Sequence, residues 1–81
     1  MDKEQIMEKI KAEVEALASC KIEDYDKLIF KSGILDSLNI LNIIVFLEEE
    51  FSIKIYPFDV NLDILGSLNK ICQFVYEKVE K

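Results

Sequence analysis

Only two glycines and one proline punctuate these 81 residues. A fold of many short strands needs turn residues at close, regular intervals, and this chain has too few of them. At 51% hydrophobic and 32% charged, it is also too apolar to remain unfolded. A helical class is what remains. The length holds one domain, residues 1–81, with one compact core and little room for an elaborate catalytic cleft.

Apolar spacing locates the helices. Ile6, Ile10, Val14 and Leu17 recur three or four residues apart with Lys and Glu between them, which predicts an amphipathic helix from about Lys3 to Ser19. Residues 20–35 lose this regularity. Asp24, Asp26 and Ser32-Gly33 mark a long loop, whose Leu28, Ile29, Phe30, Ile34 and Leu35 are expected to enter the core. Loops of this length are often functional. Asp36-Ser37 opens a second helix, since short polar side chains cap the free amides of a first turn, and that helix is expected to end near Phe51.

The run Leu38-Asn39-Ile40-Leu41-Asn42-Ile43-Ile44-Val45-Phe46-Leu47 is apolar on almost every face. In a small bundle Leu38, Ile40, Ile44, Val45 and Phe46 cannot all be covered, so an exposed apolar strip beside Ser37 is expected. Pro57 halts helix continuation and leaves room for a short third helix around Phe58 to Leu62. Gly66-Ser67 makes a turn and cap for a last helix carrying Leu68, Ile71, Cys72, Val75 and Val79 on one face. No internal repeat, linker or low-complexity tract is evident.

Charge narrows the partners. The formal charge is -6, and residues 36–63 hold Asp36, Glu48, Glu49, Glu50, Asp59 and Asp63 against Lys54 alone, so that stretch carries -5 of it. An acidic surface repels nucleic acid and anionic lipid and attracts basic protein surfaces. The N-terminus lacks the apolar core of a signal peptide, and the longest apolar run is too short to cross a bilayer. The sequence therefore reads as a cytoplasmic monomer, with no nucleic-acid partner and no membrane insertion. Cys20 and Cys72 are expected to be reduced thiols.

The inventory for catalysis is poor. There is no His, and no Ser or Cys has an evident partner base, so the chain reads as a non-enzyme. Two stretches faintly suggest calcium loops. The first, starting at Asp24, has Ile29 at its sixth position and Leu35 at its twelfth, while the second, starting at Asn61, has Leu65 at its fifth and Cys72 at its twelfth. Both lack the closing carboxylate, so no metal site is expected. Ser67 reads as a helix cap.

What remains is Gly33-Ile34-Leu35-Asp36-Ser37-Leu38, then the apolar helix, then Glu48-Glu49-Glu50-Phe51. With the last segment introduced by Asn61-Leu62-Asp63-Ile64-Leu65-Gly66-Ser67-Leu68, nearly the whole chain resembles the acyl carrier protein family. The resemblance implies an all-α fold, a right-handed four-helix bundle of three long helices and one short. It implies a 4'-phosphopantetheine arm, taken from coenzyme A and joined by a phosphodiester to Ser37, with Asp36 and Leu38 beside it. An acyl or aminoacyl group would ride on that arm as a thioester, in keeping with the chain's empty catalytic inventory. A helix start suits such an attachment, because it projects the side chain and favours phosphate charge.

The implied partners are a phosphopantetheinyl transferase, an acyl- or aminoacyl-loading enzyme and downstream transferases with basic docking surfaces. They would meet Leu38, Val45, Glu48, Glu49 and Glu50, with contacts that weaken in salt. Carboxylates near a helix C-terminus oppose its dipole, which points to a use in binding. Asn39 and Asn42 stand where fatty-acid carriers usually bear acids, Phe46 is bulky where they are small, and Ile34-Leu35 replaces their Gly-Ala. These departures place the chain nearer the D-alanyl, aminoacyl or other specialised carriers. A carrier-like module that docks partners without being modified is the alternative, and a small calcium-binding regulator is a third reading that the defective loops oppose.

Overall fold

The computed structural model describes residues 2–36 and 38–79, with all their side chains except those of Leu62 and Asp63. The described residues are helical, with no strand among them. Helix α1 spans Lys3–Ala18, α2 Asn39–Phe51, α3 Leu62–Leu65 and α4 Leu68–Val79, with a 3-10 turn at Pro57–Asp59 between α2 and α3. The largest helix contact is between α1 and α4, and α2 lies across both.

The predicted stripes form the core. Ile6, Ile10 and Val14 of α1 meet Leu68, Ile71, Cys72 and Val75 of α4, with Ile43, Leu47 and Phe51 of α2 closing the third side. Asp2 starts α1 through a reciprocal cap, its carboxylate accepting the Gln5 amide at 2.9 Å while its own amide donates to the Gln5 side chain at 3.2 Å. Ser67 starts α4 as expected, its hydroxyl accepting the Lys70 amide at 3.2 Å. Burial raises the Cys72 pKa above the usual thiol value, so this thiol stays protonated at neutral pH. Both cysteines are free, Cys20 exposed and Cys72 buried.

The short elements depart from expectation. Pro57 begins the 3-10 turn, where its fixed φ and missing amide are harmless. The helical turn that follows is α3, displaced toward the C-terminus and started by Asn61, whose side chain accepts the Ile64 amide at 3.0 Å. The long loop buries Ile29 and Leu35 and half-buries Phe30 and Ile34, but Leu28 is exposed. Three consecutive apolar residues in an irregular segment cannot all turn inward, and Leu28 is the one turned out.

One local device occurs twice in the chain. Both α1 and α2 end on a serine in the left-handed conformation, Ser19 at φ 57° and Ser52 at φ 54°. Three residues later comes a buried isoleucine, Ile22 or Ile55. Its amide, carried inward without a backbone partner, donates to a glutamate of the preceding helix: Ile22 to Glu15 at 2.7 Å and Ile55 to Glu48 at 2.9 Å. The shared pattern is Glu-x-x-x-Ser-x-Lys-Ile at residues 15–22 and 48–55.

Removing either glutamate leaves a part-buried amide unsatisfied. Glu48→Ala is therefore expected to destabilise the chain by about 1–3 kcal/mol. Ser52→Gly should instead stabilise it by about 0.5 kcal/mol, since glycine enters the left-handed region without the penalty borne by serine. Urea denaturation of the two variants checks both signs.

Candidate functional site

The loop before α2 is anchored at its buried residues. The Ile29 amide donates to the Gly66 carbonyl at 3.0 Å, and the Leu35 amide donates to the Ile29 carbonyl at 2.8 Å. From the far end, Asn69 holds the same loop to the start of α4, through its backbone amide to the Tyr25 carbonyl at 3.0 Å and its side-chain amide to Asp26 at 2.8 Å. Between these anchors Gly33 turns the chain at φ 85°, a conformation that disfavours any residue with a Cβ.

This fixed path delivers Asp36 to the head of α2. One oxygen of its carboxylate accepts the Leu38 amide at 3.0 Å and the Asn39 amide at 3.3 Å, and its carbonyl accepts the Asn39 amide at 3.1 Å. Asp36 is therefore the residue that caps the helix, as its type and position suggest. Ser37, the predicted attachment residue, lies outside the described residues. Its two neighbours in sequence, Asp36 and Leu38, are both exposed.

An apolar stripe runs from Leu38 along α2. Leu38 is 76% exposed, Leu41 67% and Val45 53%, three side chains spaced three and four residues apart on one face. Ile43, Leu47 and Phe51 occupy the opposite, buried face. Of the other residues expected to compete for cover, Ile40, Ile44 and Phe46 are half-buried. Leu41 was not among the expected docking residues, although its spacing from Leu38 and Val45 marks it. The flanking Asn39 and Asn42 join side chains at 3.3 Å, and no charged residue occurs between Ser37 and Leu47.

The three glutamates at the end of α2 part company. Glu48 is turned to the Ile55 amide. Glu50 pairs with Lys9 of α1 at 3.0 Å, an exposed ion pair of little energetic weight. Glu49 is exposed, with no partner among the described residues. The acidic edge next to the stripe thus has one carboxylate fully at the disposal of a partner, one loosely held and one built into the fold. Among the described residues no cluster of His, Cys, Asp or Glu could hold a metal ion, and no helix is long and apolar enough to cross a membrane.

Comparison with known proteins decides the family. The chain is 37% identical over 59 residues to the D-alanyl carrier protein of Lactococcus lactis subsp. cremoris strain MG1363, a match covering 73% of this chain and 75% of the relative. The chain belongs to the acyl carrier protein family, on its D-alanyl side. The D-alanyl carrier proteins of strains SK11 and, in subsp. lactis, IL1403 match with the same identity and coverage. No family model matches the chain. Membership agrees with the departures at Asn39, Asn42 and Ile34-Leu35, which separate this chain from carriers of fatty-acid synthesis.

Asp36 holds the start of α2 in this family member. Asp36→Ala is expected to lower stability by about 0.5–2 kcal/mol, with Asp36→Asn recovering most of the loss because an amide oxygen can serve as the cap. Leu41→Ser on the exposed stripe should stay within about 0.5 kcal/mol of the parent. Denaturant midpoints of the three variants test whether the head of α2 is held by the cap or by the stripe.

Proposed function

We propose that the chain carries an acyl group, of which D-alanyl is favoured by the names of its relatives, as a thioester on a 4'-phosphopantetheine arm joined to Ser37. The observation that carries this reading is the setting of Ser37 in the chain. It stands between exposed Asp36 and exposed Leu38 at the head of a helix whose outward face is apolar. In this reading the three longer helices and α3 make up the four-helix carrier bundle, and the chain is a cytoplasmic protein that catalyses nothing itself.

The described neighbours fit such a group. Both flanking side chains are exposed, so a bulky substituent between them has open solvent to enter. Asp36 already takes the amides of Leu38 and Asn39, so an added phosphodiester would benefit from the helix dipole without depending on those two amides. When bound, the arm supplies the thiol that forms the thioester. The chain's own residues do the rest: Asp36 keeps the helix start in place, while Leu38, Leu41 and Val45 offer apolar area to the transferase and the loading enzyme. Glu49, with Glu50 when Lys9 releases it, adds charge for a basic docking surface.

Intact mass tests the reading directly. After incubation with coenzyme A, magnesium and a broad-specificity phosphopantetheinyl transferase, the chain should gain one phosphopantetheine, and Ser37→Ala should gain nothing while remaining folded. A wild type that several transferases leave unchanged would favour the unmodified docking module. The rate of modification should also fall as salt rises, because the acidic stretch of residues 36–63 contributes long-range attraction. A rate indifferent to salt would assign docking to the apolar stripe alone.

A further inference from the structure

Two exposed side chains far apart in sequence, Asp26 and Asn69, meet at 2.8 Å. A hydrogen bond open to water adds little to stability, so the main effect of this one is on the path of the loop. The Asn69 backbone amide also donates to the Tyr25 carbonyl at 3.0 Å. Three residues away on each segment, the Ile29 amide donates to the Gly66 carbonyl at 3.0 Å. Residues 25–29 therefore run antiparallel to the turn that joins α3 to α4, clipped to it at both ends.

The second clip leads toward the proposed attachment residue. Ile29 is buried, and its carbonyl accepts the amide of buried Leu35 at 2.8 Å. The residues between them are closed on themselves. The Ser32 amide donates to the Leu28 carbonyl at 2.9 Å and the Gly33 amide to the Phe30 carbonyl at 3.3 Å, which leaves little slack to absorb a displacement of Ile29. Leu35 is followed directly by Asp36, whose carboxylate accepts the Leu38 and Asn39 amides. A continuous path thus joins Asn69 on α4 to the head of α2 through Asp26, Ile29, Leu35 and Asp36.

We propose that Asn69 is a positioning residue for the modification of Ser37. Through Asp26 and the Ile29 pivot it holds Asp36, and with Asp36 the attachment point that follows it in the chain. The inference rests on the carrier reading. In that reaction the Ser37 oxygen bonds to the phosphorus of coenzyme A that bears the pantetheine. The pyrophosphate P–O bond breaks, the adenosine bisphosphate leaves, and the hydroxyl proton passes to a base on the transferase. An in-line displacement of this kind depends steeply on where the attacking oxygen stands. Asn69 belongs to α4 and not to the apolar stripe of α2, so its effect falls on the rate of attack and leaves docking alone.

The test has two stages, both on the full chain. The first compares amide hydrogen exchange in the unmodified wild type, Asn69→Ala and Asp26→Ala, since either substitution removes the same bond. Exchange at Leu35, Leu38 and Asn39 should quicken about fivefold, the weight of about one hydrogen bond, with the amides of Ile10, Val14 and Val75 unchanged. The second stage measures kcat and KM for conversion by a phosphopantetheinyl transferase, followed by intact mass. Both variants should lose about fivefold in kcat with KM unchanged. The double variant Asp26→Asn with Asn69→Asp, which restores the bond with donor and acceptor reversed, should recover it.

Unchanged exchange at the three amides overturns the path, and unchanged kcat overturns the positioning role. A loss carried by KM assigns the pair to docking and overturns positioning, as does a double variant that folds and recovers nothing. Faster exchange throughout the core helices makes the pair a general support of the fold and overturns the assignment. A wild type that gains no mass removes the carrier reading and the role of Asn69 in attachment with it, while the exchange result, obtained before modification, still decides whether the clip reaches Asp36.

Discussion

Everything in this small fold depends on bringing the chain back over its own core after each helix. A helix end leaves carbonyls unpaired, and an irregular segment that turns inward carries amides away from water. At the ends of α1 and α2 the solution is the same: a left-handed serine reverses the path, an isoleucine drops into the core, and a glutamate from the helix just left receives the isoleucine amide. Without that carboxylate, Ile22 and Ile55 would bring an unsatisfied donor into partly buried surroundings. With it, an 81-residue chain with two glycines manages its reversals without glycine at either helix end.

The same device explains why much of the fold was legible in the sequence and part of the site was not. Helical spacing exposes the stripes of α1, α2 and α4 directly, because burial on one face imposes a period that the residues must obey. Ser67 and Asp36 were legible as caps because few side chains do that work. Glu48 was misleading. Beside Glu49 and Glu50 it looks like one more member of a charged surface, and only the backbone seven residues ahead shows that its carboxylate is engaged. The one-turn helix α3 was hard to place for a related reason: four residues are too few to display a period, and Asn61 is an unremarkable polar residue until its side chain is seen against the Ile64 amide.

The candidate site is open to solvent at its described residues. Asp36 and Leu38 are both exposed. The buried groups of the loop, Ile29 and Leu35, act at a distance by fixing where Asp36 emerges, and the outward face of α2 holds apolar area that folding alone would have hidden. Exposed leucines are ordinary singly, but three in register on one helix face constitute a surface. Family membership rests on the relatives, and the geometry adds an exposed apolar face running from Leu38 along α2.

At the head of α2 one carboxylate oxygen of Asp36 accepts the amides of Leu38 and Asn39. On the proposed reading, in which Ser37 bears the arm, these hydrogen bonds do not depend on what the arm carries. If the first turn stays the same in both states, an enzyme that must tell an empty chain from a charged one would have to sense the far end of the arm itself.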